Sequence, residues 1–179
     1  MTAHGGEESV RRAEVNQVVE SHGGPKLYGT TAGGYENGFL IFEATRCYRL
    51  GADLACILCC HACCERELAG ILKWQHPATP NAERWGLGRL VRAGKERDWF
   101  DADLASRLEQ LNENRRTLYH LQDFGAPTGL WSRAVSNAHN AVTKDDVAEA
   151  IPGTLRQEAL HALDCAFAVR TIEVERNWG

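Results

Sequence analysis

The alternation of polar and apolar positions along this chain has a helical period. Leu104, Leu108, Leu111 and Leu118 follow one another at steps of four, three and seven, which draws a single apolar stripe along a helix that Asp101 or Asp103 can cap. Upstream, Phe39 to Tyr48 reads as a helix halted or bent at Gly51. Asp53 opens the next, with Cys56, Ile57, Cys60, Cys64, Leu68, Ile71 and Leu72 at helical spacing. Gln75 to Asn81, with Pro77 and Pro80, is a loop. Leu87, Leu90 and Val91 mark a third helix that ends near Gly94, and the Leu104 stripe is the fourth. Gly125, Pro127 and Gly129 close that fourth helix, and Trp131 to Asn140 reads as less regular. Thr143, followed by Lys144, Asp145 and Asp146, starts a helix with acids at its positive end. Pro152 and Gly153 are expected to interrupt it. Thr154 then begins a long final helix through Leu155, Leu160, Leu163, Phe167, Val169 and Ile172. No segment alternates with the strand period and no internal repeat emerges, so the expected class is all-α.

Residues 1–38 hold eight of the seventeen glycines and few large apolar groups. They are expected to form a flexible N-terminal arm carrying a short helix around Glu8–Glu20, with residues 39–179 as the helical domain. A length of 179 residues suits one domain with a substantial core. The net charge of −4 argues against a generic nucleic-acid coat, so contact with RNA would be local and salt-sensitive. Arg84, Arg89, Arg92, Lys95 and Arg97 against Glu96 alone offer such a local patch, or simply a solvated helix face. There is no apolar run of roughly 18 residues to span a membrane. The N-terminus lacks a charged-then-apolar leader pattern, and seven cysteines, an odd number, fit a reducing cytoplasm.

Cys56, Cys59, Cys60, Cys63 and Cys64 surround His61 and at first suggest a metal site. Structural zinc draws ligands from separated knuckles, whereas this run lies on one helix at about 100° per residue. Cys56, Cys60, Cys63 and Cys64 share the face of Leu68 and Ile71, where cysteine fills space as a small hydrophobe, and Cys59 is expected to be the most exposed. No metal is expected.

Arg115 breaks the leucine stripe, four residues after Leu111 and three before Leu118. A guanidinium on a core-facing seam needs an anion, a carboxylate or an open cleft. Five residues on stands His120, a side chain suited to moving protons near neutral pH. Together they suggest phosphate chemistry, although a buried Arg–Glu pair beside a surface histidine would account for the same residues.

Three segments carry a resemblance. Glu43 to Leu68 is an alanine-rich helix after Gly51, ending in a leucine–glutamate pattern; Trp85 to Leu90 leads towards Asp101–Leu111; and Arg115 precedes His120 with four residues between. With Glu158, Ala159, Leu160 and Leu163 in the closing helix, the chain resembles the HEPN domains over about residues 39 to 176. The resemblance implies a HEPN-like bundle of about five to six helices that forms a homodimer. It also implies, as in active members, a cofactor-free endoribonuclease that needs no metal. His120 would take the proton of a ribose 2′-hydroxyl, whose oxygen attacks the neighbouring phosphorus to leave a 2′,3′-cyclic phosphate. Arg115 would steady the phosphoryl oxygens. Arg116, Asn112 and Tyr119 are the expected RNA contacts, with Glu65 in support or paired with an arginine of the bundle. Arg116 stands where many active members carry asparagine, aspartate or histidine, and on an ideal helix it lies about 40° from His120 against about 140° for Arg115. Implied partners are RNA, a second copy, and an antitoxin or nucleotidyltransferase-type protein in a defence setting, with no membrane. The rival expectation is a non-catalytic dimerisation, docking or RNA-binding module.

Overall fold

The computed structural model describes residues 3–119, 126–137 and 143–172, with side chains for 6–118, 126–137 and 143–172. Among these residues it has seven α-helices and no strand. They are α1 (Ala3–Ser21), α2 (Tyr35–Arg49), α3 (Asp53–Gln75), α4 (Leu87–Lys95), α5 (Ala102–Tyr119), α6 (Leu130–Asn137) and α7 (Lys144–Val169), with 3₁₀ turns at Pro25–Tyr28 and Ala82–Arg84. The all-α expectation holds: α1 contains and extends the short helix expected around Glu8–Glu20, α6 is a helix the pattern does not mark, and the two helices expected on either side of Pro152 are one, α7.

α3 is the spine, packed along α2 and α7, with α4 and α5 against it and α5 also against α7. Cys56, Ile57, Cys60, Cys64, Leu68, Ile71 and Leu72 are all fully buried, and the residues Ala159, Leu163 and Phe167 of α7 join them in one core. The helix boundaries follow local chemistry. At the end of α2, Gly51 takes φ 75°. Gly51 N–H donates to Tyr48 O at 3.0 Å and Ala52 N–H to Cys47 O at 2.8 Å, a paired bonding pattern that closes a helix through a left-handed residue. Leu104 N–H donates to Asp101 Oδ1 at 2.8 Å, so Asp101 is the acid that caps α5. Thr143 and Asp146 exchange hydrogen bonds of 2.9 and 3.2 Å at the start of α7.

Three expectations are corrected. The boundary at residues 38/39 falls inside α2, and the glycine-rich segment before it is built into the bundle: Val15, Val19 and Leu27 belong to the core. Arg11 fixes α1 in place through a fork onto Asp53, at 2.5 and 3.0 Å, and a bond of 3.1 Å to Tyr48 O. Gly23, Gly24 and Gly34 take positive φ at turns, and Gly5, Gly6 and Gly38 lie within helices, so these glycines do not mark a chain that fails to fold. Of the stretch Trp131 to Asn140, expected to be less regular, the described residues 131–137 belong to α6, which buries Ala134 and anchors Arg133 on Glu158 of α7 at 2.6 Å. Pro152 does not break α7. It and Gly153 lie on the exposed side, where water can take up the carbonyl left without an N–H partner.

Candidate functional site

α5 carries its leucines as expected: Leu104, Leu108 and Leu111 are buried, and Leu118 is partly so. Arg115, on the same stripe one turn beyond Leu111, is half-buried where α5 meets α3. A single side chain organises this corner, His61 of α3, which sequence reasoning had placed only among the cysteines. Its ring is 5% exposed; Nε2 hydrogen-bonds Asn112 Oδ1 at 3.3 Å, and Nδ1 lies 3.6 Å from Glu65 Oε2. The signal was present in the sequence, since His61 stands four residues before Glu65 on an otherwise apolar helix face and so needs polar partners.

Electrostatics sort the cluster. Burial pushes the His61 imidazole below its ordinary value; Glu65 and the Asn112 hydrogen bond pull it back up, and the Arg115 charge pushes it down again. At neutral pH the ring is uncharged and adds no positive charge beside Arg115. The other oxygen of Glu65, Oε1, accepts the Leu87 N–H at 2.9 Å and thereby holds the first turn of α4. α4 comes close to α5 where Gly88 faces Asn112: a Cβ on Gly88 would lie 3.3 Å from Asn112 Nδ2.

The six residues proposed from sequence are therefore distributed unevenly. Asn112, Arg115 and Glu65 are gathered around His61. Arg116 projects to solvent, its side chain 61% exposed, and pairs with Glu113 at 3.2 Å on its own helix. His120 and the side chain of Tyr119 lie outside the described residues. The basic stretch is partly neutralised: Lys95 meets Glu109 at 3.1 Å and Arg97 meets Glu96 at 3.5 Å, while Arg89 lies over the Trp85 ring at 3.5 Å.

The cysteine run packs as its spacing predicted. Cys56, Cys60, Cys63 and Cys64 are fully buried, and Cys59 alone of the run is half-buried. Burial raises the Cys63 thiol to about 12 and those of Cys60 and Cys64 well above the usual range, which leaves them as thiols rather than thiolates. Among the described residues, no three of His, Cys, Asp and Glu converge to hold a metal ion. No helix among them is long and apolar enough to cross a membrane.

Comparison with family models, with curated proteins and with solved structures returns no match.

Proposed function

We propose that this chain is an endoribonuclease of the HEPN type, acting as a homodimer, with Arg115 as its phosphate-binding cation. The observation that carries the reading is the position of Arg115, half-buried on an apolar stripe and beside a histidine held neutral. That environment raises the value of a charge-assisted contact with a phosphate, because less water competes for the guanidinium.

In this reading the 2′-oxygen of a ribose forms a bond to the adjacent phosphorus as the P–O5′ bond breaks. The hydroxyl proton passes to His120, and the departing 5′-oxygen takes a proton from water. Arg115 presents its planar fork to the non-bridging oxygens as their charge grows. Asn112, fixed by His61, lies one turn before Arg115 and lines the approach to it; Arg116, at the surface, adds long-range attraction for the backbone. Glu65 supports the corner by holding His61 and α4 together.

The test is an assay on total RNA with EDTA present. Cleavage should persist, products should end in cyclic phosphate, and deoxyribose at the cut site should block it. His120→Ala should slow cleavage roughly 10² to 10⁴-fold. Retained cleavage by folded His120→Ala protein would sink the mechanism. A second reading, a docking module without catalysis, draws on the exposed row Tyr35, Phe39 and Phe42 on the outer face of α2, and predicts a purified dimer inert towards every RNA tried.

A further inference from the structure

Beside the Arg115 corner runs a groove of about 650 Å³, within the range of about 300–1,000 Å³ usual for small-ligand sites. Its floor is one face of α3, where Ala62, Ala69 and Gly70 keep the surface low. One wall is the loop at Ala32–Gly34, which crosses α3 so closely that a Cβ on Gly70 would lie 2.0 Å from Ala32 O. The opposite wall is the 3₁₀ turn Ala82–Arg84 with Trp85, and Trp74 stands at the rim with 51% of its surface exposed. Glu65 lines this groove and also meets His61, so the groove borders the His61 cluster.

The charges that line the groove balance in number, with Arg66, Lys73 and Arg84 against Glu36, Glu65 and Glu83. Arg66 pairs with Glu36 at 3.1 Å and Lys73 with Glu83 at 3.6 Å, and Glu65 is engaged by the Leu87 N–H. Such a balanced lining gives a phosphate little advantage, but it suits a flat uncharged ring with polar edges. Two indoles offer surfaces for that ring, and Arg89 stacked at 3.5 Å holds the Trp85 ring in place. Building on the RNA reading above, we infer that the groove receives an unpaired base of single-stranded RNA next to the phosphate held by Arg115, stacked against Trp74 and Trp85. A base within a duplex has both faces covered and would not enter, so the preferred substrate is single-stranded or looped.

The test uses the full chain and a fluorescein-labelled single strand carrying 2′-fluoro groups, which cannot be cleaved, beside the same backbone without bases. Wild type should bind the strand with bases more tightly. Trp74→Ala, at an exposed position that leaves the core intact, should weaken binding of that strand about tenfold and leave the abasic strand unaffected. Arg115→Ala should weaken both strands alike. If Trp74→Ala and Trp85→Leu both bind the strand with bases as wild type does, the groove assignment falls, while the nuclease reading, judged by cleavage, stands. A base preference that Trp74→Ala abolishes in a protein that never cuts natural RNA would uphold the groove and end the nuclease reading. A wild type indifferent to bases, or one that captures a proline-rich peptide and no RNA, overturns the groove.

Discussion

α3 contributes to two charged clusters two residues apart in sequence, and they differ in openness. Around Glu67, every charge has been closed in: Arg170 and Glu67 are 0% and 3% exposed at 3.5 Å. Thr31 Oγ1 and Asn37 Nδ2 donate to the same Glu67 oxygen at 2.5 and 2.6 Å, and Arg170 also donates to Leu27 O and Gly29 O at 2.7 and 2.5 Å. This cluster ties the loop before α2 to the end of α7. Around Glu65, by contrast, only His61 is deeply buried; Glu65 is a third exposed, and Asn112 and Arg115 are half-buried. In the closed cluster Glu67 and Arg170 have exchanged water for protein partners, and their role is architectural. A half-open one keeps a cation within reach of a ligand.

The largest effect should come from opening the closed cluster. Glu67→Ala leaves Arg170 charged in the core and removes the acceptor of Thr31 and Asn37, which should cost about 3–5 kcal/mol in urea denaturation. A loss below about 1 kcal/mol would mean that water replaces Glu67, and the two clusters would no longer differ in kind. Cys60→Ser comes next. A hydroxyl in that apolar core should cost about 1–3 kcal/mol, while Cys59→Ser at the half-buried position should leave Tm nearly unchanged. Equal costs at the two sites would break the packing account of the run.

A pH series sharpens the open cluster. His61 in the folded chain titrates below its ordinary value of about 6.5, so below that pH the unfolded chain binds the proton more readily than the folded one. Stability from this group is therefore complete above about pH 6.5 and declines as pH falls through the window towards its depressed folded value. His61→Gln should flatten that segment of the Tm curve; a curve identical to wild type would show that the ring is not held neutral by burial. The smallest expected change is in the stability of Arg115→Ala, within about 1 kcal/mol of wild type, because a side chain that is only partly buried can surrender its contacts to water.

The fold was legible wherever a periodic apolar face met a strong local signal. The leucines of α5, the Gly51 stop and the Thr143–Asp146 start all stand where the pattern placed them. The pattern failed where tertiary packing overrode composition. The helix α1 has few large apolar groups, but Val15, Val19 and the Arg11–Asp53 fork suffice to dock it. Pro152 passes through α7 because its side of the helix faces solvent. At the site, Arg115 was legible as a charge on an apolar stripe. His61 was not, since its cysteine neighbours drew the eye to metal chemistry, and its partner Asn112 lies fifty-one residues away on another helix.

On the proposed reading, the half-open cluster around Arg115 works on RNA rather than for the fold. The most direct measurement compares wild type with Arg115→Ala, matched for Tm and dimer content, for the rate of cleavage of one RNA in EDTA. Wild type should cut, and the variant should be slower by roughly 10²–10³-fold, the scale for losing one preorganised group that stabilises developing charge. A folded Arg115→Ala protein that cuts at the wild-type rate would contradict the account.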